Sequence, residues 1–146
     1  MRAIPRALRR RVIRRAEGRC EYCRLSQEGQ EATFHIDHVM PRAAGGKTVS
    51  ENLALACVSC SLRKAARQTA IDPQSGTEVS LYNPRRDLWH EHFQWEGIFL
   101  VGQTAIGRAT VEALRMNRPL ILAIRREEAA LGRHPPSEDF DSNVRG

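Results

Sequence analysis

The sequence predicts an α+β fold in which a small ββα unit is flanked by an N-terminal basic helix and a C-terminal α/β extension. Two CxxC pairs, at residues 20–23 and 57–60, enclose two short strand-like segments, and a helical segment follows the second pair. An arginine-rich stretch precedes the first pair, and strand and helix patterns follow the second. The 146 residues are enough for one globular unit with a small core.

The N-terminal element, residues 1–19, is predicted to be a basic amphipathic helix. Its apolar positions Ile4, Leu8 and Val12 recur at intervals of four, and Gly18 is suited to the helix end. Residues 1–24 contain nine arginines and two glutamates, so the net charge of +6 is concentrated there. This density is typical of a protein that binds phosphates, although a solvated helix face explains it equally well.

The central unit is assigned to residues 20–70. Residues 33–39 alternate between apolar and polar side chains, with Phe34 and Ile36 on one face, which predicts a short strand. Turn-forming residues follow through Gly45-Gly46, and residues 52–56 predict a second short strand or turn that leads into Cys57. The segment SLRKAARQTA after Cys60 favours a helix.

The remaining residues predict an extension, residues 71–131, that packs on the central unit. Trp89 and Trp95 are expected in the core, and a helix is expected to start at Asn83-Pro84. The other expected elements are a turn at 72–76, a strand at 98–101 and helices at 104–116 and 120–131. Residues 132–146, with Pro135-Pro136 and several acidic residues, predict a flexible tail.

The cysteine spacing predicts a structural zinc ion. The four cysteines of the chain form two CxxC pairs: Cys20, Cys23, Cys57 and Cys60. Two such knuckles close all four positions of a tetrahedral zinc and leave none for water or substrate. A redox dithiol needs only one pair, and a disulfide framework is disfavoured in the cytoplasm. The N-terminus has no secretory pattern and no apolar run is long enough for a membrane span, which predicts a cytoplasmic protein.

The 33 residues between Cys23 and Cys57 are more than the roughly 15–20 of a simple double-knuckle finger. A folded segment is therefore expected between the knuckles. That segment contains the side chains best suited to chemistry in this chain: His35, Asp37, His38 and Asn52.

The segments CEYC, HIDHVMPRAAGGKTVSENLALACVSC and SLRK, within residues 20–64, resemble the four-cysteine branch of the HNH endonuclease family. The resemblance implies a ββα-metal fold and cleavage of DNA phosphodiester bonds. It implies that His38 is the general base, Asp37 a ligand of a catalytic divalent cation, and Asn52 the middle asparagine of the motif. The family usually has His or Asn directly after the last cysteine, where this sequence has Ser61.

Residue chemistry is consistent with these roles. A histidine with a pKa of about 6.5 can take a proton from water at neutral pH, and a carboxylate such as that of Asp37 suits Mg²⁺ or another divalent cation. Asn52 can hydrogen-bond across the preceding loop. Because Ser61 is a weak ligand, His35, on the same side of the strand as Asp37, is a candidate to join the metal or, preferably, to hydrogen-bond one of its ligands.

Three functional hypotheses remain open at this point. The first is a metal-dependent endonuclease that acts on DNA, expected to be double-stranded. Its predicted contacts with the nucleic acid are Arg10, Arg14, Arg63, Lys64 and Arg67. The second is a zinc-stabilised nucleic-acid-binding module with weak or no cleavage, and the third is a protein-interaction scaffold. No membrane partner is expected, and a homodimer is compatible with the sequence but does not follow from it.

Overall fold

The computed structural model describes residues 3–137, so most of the predicted tail, residues 138–146, lies outside the described residues. The helices are α1 (Arg6–Arg15), α2 (Val58–Lys64), α3 (Trp89–His92), α4 (Ala105–Ala113) and α5 (Pro119–Ala130). The strands are β1 (His35–His38), β2 (Leu53–Ala56), β3 (Thr69–Ile71), β4 (Glu78–Ser80), β5 (Phe93–Glu96) and β6 (Phe99–Gly102). They form three antiparallel two-stranded sheets, which confirms the α+β prediction.

The central unit is a hairpin followed by a helix. Strand β1 pairs with β2 in a register that runs from His35 opposite Ala56 to His38 opposite Leu53. All four residues of β2 are buried, and α2 begins two residues after the strand ends. The order strand, loop, strand, helix is the one that the sequence predicts.

Helix α1 packs on this hairpin. Val12 and Ala16 are fully buried, and the Gly18 N–H donates to the Ile13 carbonyl at 3.1 Å with Gly18 at a φ of +70°. That backbone conformation favours glycine and closes the helix end. The Arg15 guanidinium donates to the Ser50 hydroxyl at 2.9 Å and to the Leu53 carbonyl at 2.7 Å. Arg15 therefore attaches α1 to the start of β2.

The predicted helix through residue 70 is too long. Helix α2 ends at Lys64, Ala65 has a φ of +46°, and residues 69–71 form β3 instead. The Asp72 carboxylate accepts hydrogen bonds from the backbone of the β3–β4 turn and binds the Arg108 guanidinium at 2.9 and 3.0 Å. Hairpin pairing and this contact with α4 prevail over the helix propensity of the alanines.

The prediction of a helix start at Asn83 is also wrong. The Asn83 side chain accepts a hydrogen bond from the Arg85 N–H at 2.8 Å and closes a turn, and the next helix, α3, begins at Trp89. An asparagine side chain satisfies a turn as readily as a helix end, so the residue alone does not distinguish them.

The extension shares one hydrophobic core with the central unit. Trp89 is fully buried, donates from Nε1 to the Tyr22 carbonyl at 2.8 Å, and lies under the Arg24 guanidinium at 4.7 Å. Trp95 is half-buried and packs against this core. None of the helices in residues 3–137 combines the length and apolar character of a membrane span.

Trp89→Ala is expected to lower the free energy of unfolding by about 3–5 kcal/mol, because it leaves a large cavity where the extension meets the first CxxC turn. Urea denaturation followed by circular dichroism in the presence of zinc measures the loss. Leu88→Ala is the control, since Leu88 is 39% exposed and its truncation should cost less than about 1 kcal/mol. Equal losses in the two variants would contradict the shared core.

Candidate functional site

The four cysteines converge on one buried cluster. Their sulfur atoms all lie within 4.8 Å of one another, and the Sγ atoms of Cys23 and Cys57 are 3.8 Å apart. Sulfurs bound to a tetrahedral zinc ion by bonds of about 2.3 Å are separated by about 3.8 Å. The predicted four-cysteine cluster is confirmed, and its dimensions fit a zinc ion.

Each CxxC pair forms a tight backbone turn around its first sulfur. The Cys23 N–H donates to Cys20 Sγ at 3.5 Å, and the Cys60 N–H donates to Cys57 Sγ at 3.4 Å at the start of α2. Burial raises the pKa of the Cys20 thiol, whereas hydrogen bonds from the other three cysteines hold the pKa of Cys57 well below its ordinary value. Four thiolates this close together and away from water would repel one another, so all four cysteines can ionise together only around a cation.

Glu21 lies inside the first turn and connects the cluster to its surroundings. Its fully buried carboxylate accepts a hydrogen bond from the Leu55 N–H at 2.8 Å and pairs with Arg85 of the extension. The Glu21 N–H in turn donates to the Leu55 carbonyl at 2.8 Å. The sequence gives no signal for this role, because a single acidic residue between two cysteines forms no pattern.

An open cleft of about 590 Å³, the first cleft, lies beside β1. Its lining includes the four residues that the sequence assigns to the catalytic cation and base: His35, Asp37, His38 and Ser61. Arg9 of α1 and Arg42 of the loop after β1 also line it. The structure therefore brings the predicted residues together and adds two arginines to them.

Asp37 is 8% exposed and held by two donors. The Tyr22 hydroxyl donates to Oδ2 at 2.8 Å, and the Lys64 ammonium lies 3.2 Å from the same oxygen. Burial raises the pKa of Asp37, whereas Lys64 and Tyr22 act to lower it. Burial also raises the pKa of Tyr22, so its hydroxyl keeps the proton that it donates.

Lys64, a predicted contact with the nucleic acid, is buried rather than exposed. Its side chain is 3% exposed, and besides Asp37 it donates to the His38 carbonyl at 3.1 Å. From the sequence, a lysine at the end of a short helix is expected to be exposed to solvent, because no local pattern shows that a buried carboxylate lies opposite it. Lys64 instead neutralises Asp37 and fixes the backbone of the adjacent histidine.

His38 is held by two side chains for which the sequence predicts no role. The Arg42 Nε–H donates to His38 Nε2 at 3.1 Å, and the Thr48 hydroxyl lies 2.9 Å from the same nitrogen. A nitrogen that accepts from Arg42 carries a lone pair, so this hydrogen-bond pattern assigns the ring proton to Nδ1. Burial and the charge of Arg42 lower the pKa of His38 below its ordinary value of 6.5, which favours the neutral ring.

Asn52 spans the loop after β1. Its Oδ1 accepts from the Met40 N–H at 2.8 Å, and its Nδ2 donates to the carbonyls of Met40 at 3.1 Å and Lys47 at 2.9 Å. Gly46 lies so close to the Met40 carbonyl that a Cβ there would collide with it. Asn52 thus closes the loop as its residue type suggests, and it reaches backbone rather than the first cleft.

His35 and Ser61 contact each other across the first cleft. His35 Nδ1 lies 2.9 Å from Ser61 Oγ. The serine in the position after the last cysteine is therefore paired with the histidine that precedes Asp37 by two residues. Both side chains remain half-exposed.

The predicted phosphate-binding arginines differ in their settings. Arg10 and Arg14 are exposed along α1, and Arg67 is exposed beyond the end of α2. Arg63 is exposed and donates from Nε to the Ser59 hydroxyl at 3.2 Å. Arg9, which lines the first cleft, is not distinguishable in the sequence from its neighbours, because the helical pattern does not fix which polar residue faces the hairpin.

The comparisons with known proteins support a family assignment for the central unit. Residues 20–67 match the family model described as HNH endonuclease. No curated protein and no solved structure matched the chain. The match begins at the first cysteine and ends just beyond α2, so it includes both CxxC turns and the predicted catalytic residues.

The purified protein is expected to contain one zinc ion per chain, and Cys60→Ser should lose both the zinc and much of the helical circular dichroism signal, because the metal holds the hairpin to α2. Elemental analysis and circular dichroism measure these effects. Ser59→Ala changes the same turn without removing a sulfur and should retain the zinc. Full folding of Cys60→Ser without metal would contradict a structural role.

Proposed function

We propose that this chain, whose residues 20–67 match the HNH endonuclease family model, is an endonuclease that hydrolyses phosphodiester bonds in double-stranded DNA. The observation that carries the proposal is the first cleft, where a neutral histidine, a buried carboxylate and two arginines lie on one open wall. Such a wall can accept a phosphate group together with an attacking water. A structural zinc in the cysteine cluster supports the wall, and its thiolate ligands fit a reducing, cytoplasmic setting.

His38 is the proposed general base. Its Nε2 carries the lone pair, and both Nε2 partners, Arg42 and Thr48, are hydrogen-bonding groups that a water molecule can replace or share. Proton transfer to this nitrogen makes the attacking water more nucleophilic. Lys64 holds the His38 carbonyl, and Asn52 closes the loop that carries Arg42, so both act as positioning residues for the base.

Arg9 and Arg42 are proposed to bind the oxygens of the phosphate that is attacked. Both residues line the first cleft, and the forked donors of arginine suit phosphate oxygens. Arg42 would exchange its contact with His38 for a contact with the phosphate. This exchange would free Nε2 when the substrate enters.

The proposed site for a divalent cation is Asp37. Asp37 lines the first cleft together with Ser61 and His35. Each oxygen of its carboxylate can accept more than one partner. Among residues 3–137 the cysteines are the only cluster of three or more His, Cys, Asp or Glu ligands, so water and phosphate would complete the coordination of Mg²⁺. When bound, the cation supplies positive charge that stabilises the developing charge on the phosphate.

A second candidate function is a nucleic-acid-binding module without cleavage. The Lys64 ammonium already occupies a position 3.2 Å from Asp37, and Ser61 stands where the family usually has a stronger ligand. Both features weaken the binding of a divalent cation at Asp37: the ammonium competes for the carboxylate, and the serine is a weak additional ligand. The basic α1 and the zinc site would remain useful for binding alone.

Cleavage of supercoiled plasmid in Mg²⁺ or Mn²⁺ distinguishes the two functions. The wild-type protein should nick the plasmid, EDTA should stop the reaction, and His38→Ala should lower the rate at least about 100-fold. His90→Ala is the matched control, because His90 is exposed and does not line the first cleft. Cleavage that persists in His38→Ala would remove His38 from the mechanism, and no cleavage by the wild type would favour the binding module.

As the pH is lowered, the rate of cleavage is expected to fall only below pH 6.5, because a base with a lowered pKa stays neutral to lower pH. Arg42→Gln removes one of the two largest causes of the lowered pKa of His38. The acidic limb of its pH profile, where the rate falls as His38 is protonated, should therefore lie at higher pH than that of the wild type. The measurement is kcat/KM on a short duplex as a function of pH. Arg42→Lys keeps the charge and should keep the limb near its original position; identical limbs in all three proteins would contradict the assignment.

A further inference from the structure

A second cleft, of about 680 Å³, lies on the other side of the loop that follows β1. Its walls come from that loop, from the chain just after α2, and from residues 80–86 of the extension. The first cleft is lined by Pro41, Arg42 and Ala43 of the loop, and the second by Met40, Gly45 and Gly46. The two clefts are therefore neighbours separated by one short turn.

Two cations in the second cleft have no partner in the part of the chain that the structure describes. Lys47 and Arg67 line it, are exposed, and make no side-chain hydrogen bond or ion pair within residues 3–137. The other cations there are engaged: Lys64 by Asp37, Arg85 by Glu21 and Arg86 by Asp87. Glu51 is the one acidic residue among the described lining residues. The cleft thus presents two available positive charges against one negative charge.

Both available cations are held at fixed positions relative to the first cleft. The Lys47 carbonyl accepts a hydrogen bond from Asn52 Nδ2 at 2.9 Å, which ties its backbone to the end of β1 through Met40. The Arg67 N–H donates to the Lys64 carbonyl at 2.8 Å, in the turn that Ala65 forms with its φ of +46°. The backbone is thus fixed while the side chains remain available, an arrangement suited to a regularly spaced polyanion.

We propose that the second cleft binds the sugar-phosphate backbone of the DNA substrate beyond the bond that is cut, with Lys47 and Arg67 each contacting a phosphate. This inference rests on the proposed function, because the DNA reaches the second cleft across the turn from the first. It gives the extension a role, since residues 80–86 form the far wall. An acidic peptide is the competing occupant, but continuity with the first cleft favours the ligand whose charges repeat along a chain.

The lysine content of the chain allows a direct test by acetylation. Lys47 and Lys64 are the only lysines, and Lys64 is 2% exposed, so brief acetylation of the native protein followed by mass spectrometry reports on Lys47. A 20-base-pair duplex in EDTA should lower acetylation of Lys47 several-fold, and high salt should restore it. Unchanged acetylation with bound duplex, or protection by polyglutamate and not by DNA, would overturn the inference.

Salt dependence provides a second measurement on the same duplex. Fluorescence anisotropy in EDTA should show that Lys47→Gln/Arg67→Gln lowers the slope of log K against log salt by about 1.8, or about 0.9 for each phosphate that the variant no longer binds. Arg115→Gln/Arg126→Gln is the matched control, because both arginines are exposed and line neither cleft. An equal fall in the control, or no fall in the test variant, would overturn the inference.

These outcomes are separable from failure of the proposed function. DNA bound with Lys47 unprotected overturns the inference and leaves an endonuclease that uses the first cleft. Lys47 protected by DNA without cleavage in Mg²⁺ or Mn²⁺ supports the inference and favours the binding module. An absence of any salt-sensitive DNA binding overturns both.

Discussion

The convergence of four sulfur atoms within 4.8 Å determines how the rest of this protein is arranged. The two CxxC turns are separated by 33 residues, and a hairpin of four-residue strands is only marginally stable alone. Cys57 joins β2 to α2, and the turn at Cys20 is hydrogen-bonded to Leu55 of β2. A metal bound to the sulfurs therefore fixes both the end of the hairpin and the start of the helix, a role in which binding free energy becomes folding free energy.

The same constraint sets the electrostatics of the first cleft. Because the cluster fixes where α2 begins, it also fixes Lys64 at the other end of a seven-residue helix, where the ammonium meets the buried Asp37. A buried carboxylate without such a partner would be protonated or would destabilise the fold. Lys64 thus makes an ionised Asp37 compatible with burial, and for the same reason it competes with any divalent cation for that carboxylate. Under the proposed function, the balance between Lys64 and the cation would determine whether the chain cleaves DNA or only binds it.

The sequence predicts most of the central unit, because its signals are local. CxxC spacing and strand alternation depend on near neighbours, and the structure shows the cysteine cluster and the two strands where they are expected. The end of α2 and the burial of Lys64 do not follow from the sequence, because each depends on a partner far along the chain. The turn at Asn83 is closed by a near neighbour, but an asparagine suits a turn as well as a helix start. Arg108 fixes Asp72 from 36 residues away, and no local pattern reports such a contact.

The arginines near the N-terminus show why composition alone misstates a binding surface. Nine arginines in the first 24 residues suggest a uniformly basic helix, yet Arg15 holds β2, Arg19 donates to the Arg24 carbonyl, and Arg24 lies over Trp89. These charges stabilise the fold. Arg9 lines the first cleft while Lys47, in a segment without a charge cluster, lines the second. A phosphate backbone is bound by cations that are both available and correctly placed. In the proposed complex, the path of the DNA would therefore be set by the tertiary fold rather than by the densest run of charge.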